Sequence, residues 1–210
     1  DYKSIHPERQ KFIERHSLDD SHSIALLAGS RKAEISFLLP RMVALERLLK
    51  QDMLLQDYQL LLAAAPSVDL QLYRSLIPAD SSIRIVSGDT YGVLSHSDAA
   101  VICSGTASLE AALIGTPQVV CYGFNRITYL IARLLVRVKY ISLANLILDK
   151  FIFKEFVQDD ASPRMIFDEV LRLLTDNEYR NAMKSDYTAL REILGGSGAS
   201  RKIARKMIGL

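Results

Sequence analysis

Short apolar segments alternate with amphipathic stretches along the first 122 residues of the chain. The apolar segments predict five buried strands, at 24–28, 58–64, 83–86, 99–103 and 118–122. Apolar residues at helical spacing between them predict crossover helices. The longest pattern starts at Ile35, and Pro40 inside it predicts either a kink in this helix or its true beginning. Parallel strands need such crossovers and are covered on both faces. The pattern therefore predicts an α/β fold with a doubly wound parallel sheet.

The alternation changes after Tyr122. Residues 127–138 form a basic amphipathic stretch, and the sequence GGSG at 195–198 interrupts the chain before a last basic helix. The other predicted elements are a strand-like run at 140–147, a helix near 154–158, a helix from Pro163 behind an N-cap at Ser162, a helix behind an N-cap at Asp176, and the last helix at 199–208. We divide the chain into a lead-in at 1–22, one domain at 23–194 and a terminal helix at 195–210.

Composition describes an ordinary soluble globular chain, with 210 residues, 49% hydrophobic, 24% charged and a net charge of +2. Cys103 and Cys121 lie inside apolar runs, which indicates a reducing compartment and no structural metal. The sequence has neither an apolar run long enough to span a membrane nor a signal-peptide layout. From the start at Asp1 rather than Met we expect a chain that was either cut from something longer or processed.

Two strand-to-helix junctions have the composition that a phosphate site needs. They are Gly29, Ser30 and Arg31 after the first strand, and Ser104, Gly105 and Thr106 after the fourth. Free backbone N–H groups at a helix N-terminus favour an anion, and glycine lets that anion approach closely. Glu110 lies one helical turn beyond Thr106, where a carboxylate suits the vicinal hydroxyls of a ribose. Both junctions therefore point to a nucleotide.

Other interpretations of these residues remain open. A Gly-Ser pair after a strand is also an ordinary turn with an N-cap, and Glu110 is also consistent with a solvated helix acid. Neither junction matches a Walker A loop, and the sequence has no G-x-G-x-x-G of a nicotinamide or flavin site. Its four histidines show no metal-ligand spacing.

Four spaced motifs give the chain a resemblance to a known family. They are G-S-R-x-x-E at 29–34, S-G-T-A-x-L-E at 104–110, S-L-x-N-L at 142–146 and E-x-x-Q at 155–158. With them, the chain from Ile24 to Leu210 resembles the C-terminal half of lipid-A-disaccharide synthase, a GT-B glycosyltransferase. One departure is Ala28, which stands where the family usually has proline.

The resemblance implies a Rossmann-like domain, the C-terminal nucleotide-donor domain of a GT-B fold. The family is an inverting hexosyltransferase that transfers 2,3-diacylglucosamine from UDP to 2,3-diacylglucosamine 1-phosphate (lipid X), giving the β-1,6 lipid A disaccharide and UDP. The UDP-sugar is a substrate, and no cofactor or metal is expected. The acceptor site and catalytic base belong to an N-terminal domain missing from this chain, so we expect the chain alone to bind UDP weakly and to be inactive.

The resemblance also implies site residues. Arg31 is expected near the diphosphate and Glu110 on the ribose hydroxyls. The full set of implied UDP-binding residues is Gly29, Ser30, Arg31, Ser104, Gly105, Thr106, Glu110, Asn145, Glu155 and Gln158. For the last three, ordinary structural roles stay open, such as a left-handed turn at Asn145 and helix polar positions at Glu155 and Gln158.

The basic stretch is consistent with an anionic membrane surface, since both substrates are acylated. The residues of that surface are Arg126, Tyr129, Arg133, Arg137 and Lys139. A helix packed on the sheet with snorkelling basic side chains would have the same pattern. The expected location is cytoplasmic, on the inner face of the bacterial inner membrane.

The expected partners are the two lipid substrates, the N-terminal domain and possible further copies of the chain, but no nucleic acid. The helix in 195–210 is expected to cross back onto the N-terminal domain. Two rival interpretations remain. One is another GT-B UDP-sugar enzyme, of the peptidoglycan glycosyltransferase or UDP-sugar 2-epimerase type. The other is a nucleotide-binding module without catalysis.

Overall fold

The structure is a computed structural model that describes residues 9–103, 105–123 and 139–195. Its strands are β1 (Ser23–Leu27), β2 (Gln59–Ala64), β3 (Arg84–Ser87), β4 (Ala99–Cys103), β5 (Gln118–Tyr122) and β6 (Glu155–Val157). Its α-helices are α1 (Arg9–His16), α2 (Lys32–Gln51), α3 (Leu70–Leu76), α4 (Thr90–Ser95), α5 (Thr106–Ile114), α6 (Leu143–Leu148), α7 (Pro163–Thr175) and α8 (Asn177–Gly195). A 3₁₀ turn, Gln158–Asp160, follows β6.

The six strands form one sheet in the order β3-β2-β1-β4-β5-β6, and every neighbouring pair is parallel. The connection direction reverses between β1 and β4, which is where doubly wound sheets bind ligands at their carboxyl edge. Both of these central strands are buried along their whole length. The predicted fold class, α/β with a Rossmann-like doubly wound parallel sheet, is confirmed.

Alternate residues of the central strands point to two separate cores, because side chains in a strand alternate between faces. Ile24 and Leu26 belong to one core, which also contains residues of α2, α3 and α7. Ala25 and Leu27 belong to another, with residues of α1, α4 and α5. A third cluster places α6 and α8 beside the outer strands on that second face. The sheet is therefore covered on both faces, as continuous apolar strands require.

The predicted lead-in contains α1, and this helix packs onto the domain. Phe12 is only 2% exposed and lies in the same core as Ala25 and Leu27. Arg9 also bonds to the carbonyl oxygens of Ser21 and His96, at 2.7 and 3.1 Å. Residues 9–22 are thus held against the sheet.

The five strands predicted in the first half of the chain are confirmed to within one or two residues. The long helix α2 begins at Lys32, well before Pro40, so Pro40 does not mark its start. The two predicted N-caps are also present. The Ser162 hydroxyl accepts from the Met165 amide at 3.3 Å, and the Asp176 carboxylate accepts from the Tyr179 amide at 2.9 Å.

Two predicted elements in the second half are wrong. Residues 140–147 are not a strand, because Ser142 caps a helix there by accepting from the Asn145 amide at 3.3 Å. Residues 154–158 are not a helix. They contain β6, an edge strand in which Phe156 is buried and its two neighbours are half-buried, the period of a strand.

Some predicted features lie outside the described residues. These are the basic stretch at 127–138, most of the terminal segment at 195–210, and Ser104. Within the described part of the chain, none of the helices has the length and apolar character needed to cross a bilayer.

Candidate functional site

A cleft of about 270 Å³ opens at the carboxyl edge of the sheet, between the ends of β1 and β4. Loops after three parallel strands and the first turns of α4 and α5 form its walls. Polar or glycine positions that line it are Gly29, Ser30, Glu34, Thr90, Gly105, Thr106 and Glu110. The structure therefore brings together five of the predicted site residues, from two junctions about 75 positions apart in the sequence.

The junction after β1 is built around Gly29, which has a φ of +110°. A Cβ atom at this position would lie 2.6 Å from the Cβ of Glu34 and 3.2 Å from the sulfur of Cys103. Both the backbone conformation and the space therefore require glycine. This close approach lets the side chain of Glu34 fold back over the loop.

Glu34 closes the junction with its own carboxylate. Its Oε2 accepts from the amides of Ser30 and Arg31 at 2.9 and 3.2 Å, and its Oε1 pairs with the Arg31 guanidinium at 2.6 Å. Glu34 thus makes the glutamate half of a capping box with the N-cap amide of Arg31, whose guanidinium has no acceptor for the other half. The loop amides that could bind a phosphate are thus occupied, and the Arg31 side chain, 80% exposed, lies outside the cleft wall.

The junction after β4 is open by contrast. Gly105 is the N-cap of α5, with a φ of +143°. Apart from its chain neighbours, none of the described residues has an atom within 4 Å of the place where a Cβ would stand. Among the described residues, no side chain accepts from the first amides of α5. Because the positive end of a helix favours negative charge, this end of α5 is prepared for an anion entering from the cleft.

Glu110 lies on α5 and faces the same cleft as Thr106. Tyr91 on α4 lies beside it. The negative charge of Glu110, then burial, then a hydrogen bond to Glu110 raise the pKa of the Tyr91 hydroxyl. Glu110 therefore presents its carboxyl group at the cleft wall, with Tyr91 nearby.

The other three predicted residues form a separate assembly beside β5 and β6. Asn145 is fully buried, donates to the Phe153 carbonyl at 3.2 Å and accepts from the Ile152 amide at 2.8 Å. It lies inside a helix, so the predicted left-handed turn is absent. The structure does not bring Asn145 to the cleft, since both polar atoms of its amide bond within the chain.

Glu155 joins this assembly to the sheet. Its carboxylate accepts from the amides of Ile141 and Ser142 and from the Tyr122 hydroxyl, at 3.2, 2.5 and 2.9 Å. Burial first, and then the nearby Glu155 charge, raise the pKa of Tyr122. Gln158 follows β6 in a left-handed conformation, with a φ of +54°, at the same sheet edge as the cleft but not in its wall.

Sequence reasoning did not select Glu34, Pro66 or Thr90 as site residues, yet all three line the cleft. Glu34 had a signal in its position, because a glutamate at the third residue of a helix can bond back to the N-cap amide. Thr90 had no such signal, since its place in the wall depends on how α4 packs.

A larger groove, of about 610 Å³, lies at the opposite edge of the sheet. Its wall includes His22, Tyr58 and Asp98, which precede β1, β2 and β4, together with Lys184 of α8. This is the amino edge of a parallel sheet, whereas ligands of such sheets bind at the carboxyl edge. The smaller cleft is therefore the candidate site.

Of the predicted membrane-surface residues, only Lys139 is described. It is exposed, and its ammonium lies 4.9 Å from the ring centroid of Tyr140. Arg126, Tyr129, Arg133 and Arg137 lie outside the described residues.

Solved structures share this fold at low sequence identity. A UDP-N-acetylglucosamine 2-epimerase matches with a TM-score of 0.57 and 14% identity, over 99% of this chain and 48% of that one. WaaG, a glycosyltransferase involved in lipopolysaccharide biosynthesis, matches at 0.56 and 15%, over 96% and 51%. The C-terminal domain of a group 1 glycosyl transferase from Francisella tularensis matches at 0.55 and 14%, over 91% and 95%. These likenesses establish the fold.

Sequence relatives establish more than the fold. Lipid-A-disaccharide synthases from Syntrophus aciditrophicus and Trichlorobacter lovleyi are each 38% identical over 188 residues, which cover 89% of this chain and 49% of each relative. The Myxococcus xanthus synthase is 35% identical over 95% of this chain and 52% of its own length. The chain thus spans about half the length of these relatives. The family described as lipid-A-disaccharide synthetase matches residues 2–206, and the chain belongs to that family.

Proposed function

We propose that this chain is the UDP-donor half of a lipid-A-disaccharide synthase. In the complete enzyme, 2,3-diacylglucosamine passes from UDP to 2,3-diacylglucosamine 1-phosphate, forming the β-1,6 disaccharide and UDP. The observation that carries the proposal is the cleft in which the uncapped end of α5 and Glu110 face the same space. Membership of the family supports the choice of substrates.

Within this cleft we assign the diphosphate to the end of α5, behind Gly105 and Thr106. Backbone amides there do not change charge or move during the reaction, so they can stabilise the negative charge that develops on departing UDP. Glu110 accepts from the ribose hydroxyls from the same helix. Arg31 lies between two residues of the cleft wall, Ser30 and Glu34, and its exposed guanidinium pairs with Glu34. We assign it a second position, in which the guanidinium leaves Glu34 and pairs with the diphosphate of the bound nucleotide.

The acceptor and the base are assigned to the other half of the enzyme. Direct displacement at the anomeric carbon inverts its configuration and needs a base for the acceptor hydroxyl. We assign no residue of this chain to that role. The UDP-sugar is a substrate in this scheme, and the expectation of no metal or other cofactor stays a prediction.

The remaining partners are also proposals. We propose that the complete enzyme works at the anionic inner face of the cytoplasmic membrane, because both of its proposed substrates carry acyl chains. We propose that the N-terminal domain of the complete enzyme contacts this chain at the rim of the cleft. A UDP-sugar 2-epimerase or another UDP-sugar transferase remains the alternative, and UDP would occupy the same cleft in either.

Calorimetric titration of the 210-residue chain with UDP tests the proposal. We expect weak binding, which Glu110→Ala and Arg31→Ala both weaken, with thermal melts showing that all three proteins are folded. The chain alone is expected to show no disaccharide synthesis from the two lipid substrates. Folded protein without UDP binding, or UDP binding that Glu110→Ala leaves unchanged, would contradict the assigned site.

A further inference from the structure

The Glu34 carboxylate is held in place by the backbone of its own junction. Its Oε2 accepts from the amides of Ser30 and Arg31 at 2.9 and 3.2 Å. The side chain lies against Gly29, so closely that an added Cβ there would stand 2.6 Å from the Cβ of Glu34. Only 16% of the Glu34 side chain is exposed, and it lines the cleft. Glu34 is therefore the fixed member of its pair with Arg31.

The Arg31 guanidinium is the movable member of this pair. Its Nη1 donates to the Oε1 of Glu34 at 2.6 Å, and the side chain is 80% exposed. A long side chain that lies mostly in water can change its partner without disturbing the core. Arg31 is also the cation that we assign to the diphosphate of bound UDP. One guanidinium therefore has two alternative anionic partners, Glu34 in the empty site and the diphosphate in the occupied one.

We propose that Glu34 is a positioning residue that competes with the diphosphate for Arg31 and thereby weakens the binding of UDP. This inference rests on the proposed function, because that function places Arg31 on the diphosphate. Glu34 keeps the guanidinium beside the cleft, but their ion pair must break before Arg31 can bind UDP. The interaction energy of an exposed ion pair corresponds to a change in affinity of up to about fivefold. In the complete enzyme, the same competition favours the release of UDP after transfer.

The substitution Glu34→Gln separates the ion pair from the hydrogen bonds of the loop. The remaining carbonyl oxygen can still accept from the amides of Ser30 and Arg31, so the junction stays closed. The new amide nitrogen is only a donor and cannot pair with a guanidinium. Glu34→Gln therefore releases the Arg31 side chain while it keeps the backbone of the junction.

A matched control lies on α7. Asp168 pairs with Arg164 one helical turn away, at 3.0 Å, and the arginine side chain is 70% exposed. Neither residue belongs to the wall of the cleft. Asp168→Asn therefore removes one carboxylate charge and releases one exposed arginine, as Glu34→Gln does, but away from the proposed nucleotide site.

Calorimetric titration with UDP compares the 210-residue chain with Glu34→Gln and Asp168→Asn, and thermal melts confirm that each protein is folded. We expect Glu34→Gln to bind UDP about threefold more tightly than the parent chain, although it is the less stable protein. Asp168→Asn should bind UDP as the parent does, because salt screens a distant exposed charge. Unchanged or weaker binding by Glu34→Gln, or an equal gain in both variants, would overturn the proposal.

Two further titrations show whether the gain in affinity depends on Arg31. In the Arg31→Ala background, Glu34→Gln should have little effect on UDP binding, because the residue for which Glu34 competes is absent. Uridine, which has no phosphate, should bind equally to the parent chain and to Glu34→Gln. An undiminished gain in the Arg31→Ala background, or a gain for uridine, would overturn the competition, since Glu34 would then act on the nucleotide without Arg31.

Failure of this inference is distinguishable from failure of the proposed function. If Glu110→Ala and Arg31→Ala both weaken UDP binding but Glu34→Gln does not strengthen it, the nucleotide site stands and the competition is wrong. If the folded parent chain does not bind UDP, the proposed function of the chain is contradicted and the competition falls with it.

Discussion

The two glycine junctions at the carboxyl edge of the sheet look alike in sequence but are closed differently. After β1, the Glu34 carboxylate occupies the loop amides and holds Arg31. After β4, Gly105 caps α5 without a side chain, and no side chain of the part of the chain that the structure describes fills the space beside it. A Gly-Ser pair after a strand is therefore not enough to make an anion site. The residue three positions into the helix decides whether the helix end is open.

The largest expected effect is on stability, from Gly29→Ala. The new methyl group meets the Cβ of Glu34 at 2.6 Å in a backbone conformation with a φ of +110°, so we expect a loss of about 3 kcal/mol. Gly88→Ala is the matched control, because Gly88 has a φ of +75° but, among the residues that the structure describes, only its chain neighbours come within 4 Å of the place a Cβ would take. It should cost only about 1 kcal/mol. Equal losses in urea unfolding would show that Glu34 does not enforce glycine at the first junction.

The second largest effect on stability is expected at Glu46, which lies on the same helix as Glu34. Glu46 is 4% exposed and accepts from the Ser82 amide at 2.6 Å, and its Oε1 pairs with Lys50 at 2.9 Å. Burial alone would raise its pKa, but hydrogen bonds from Lys50, Ser81 and Ser82 lower it from 4.5 to about 2. Because the folded pKa is the lower one, the stabilisation is present above pH 4.5 and is lost as the pH falls toward 2.

We therefore expect Glu46→Gln to lower the free energy of unfolding by roughly 2 kcal/mol at pH 7 and by almost nothing near pH 2. Urea unfolding of both proteins across this pH range measures the difference. The same substitution at Glu34, whose side chain is 16% exposed, should cost about 1 kcal/mol at pH 7. A Glu46→Gln loss that does not change with pH would show that the carboxylate is not ionised there.

A small effect on stability, about 1 kcal/mol, is expected from Gly105→Ala, because the backbone has a positive φ but no side chain of the described residues occupies the space. Its effect on binding should be larger. The methyl group would stand where we assign the diphosphate, so UDP affinity should fall about tenfold or more. Gly115→Ala, at the other end of α5 with a φ of +106° and open space, should cost similar stability and keep UDP affinity. Similar affinities for both variants in calorimetry would place the phosphate elsewhere.

Much of the fold was predictable because the central strands are buried on both faces and read as apolar runs. β4 and β5, Ala99–Cys103 and Gln118–Tyr122, begin and end at the predicted residues. The errors are at the outer side of the sheet. There β6 has only Phe156 buried, and α6 depends on Ser142 and on the buried amide of Asn145. Such tertiary contacts are invisible to a pattern of apolar residues.

The part of the site that was predictable from the sequence consists of residues that lie close together along the chain. Gly105, Thr106 and Glu110 lie within one junction, so their spacing already places them together. Asn145 and Glu155 were selected through a family resemblance, and the structure shows them bonded to the chain beside β5 and β6. Thr90 reaches the cleft from the first turn of α4, which Asp89 caps. Its position depends on contacts between distant parts of the sequence.

The most direct test of the account is hydrogen exchange of the chain at individual amides, with and without saturating UDP. If the open junction binds the diphosphate, UDP slows exchange at Thr106, Ala107 and Ser108 and leaves the amides of Ser30 and Arg31, already bonded to Glu34, unchanged. Protection at Ser30 and Arg31 with none in the first turn of α5 would contradict the central claim.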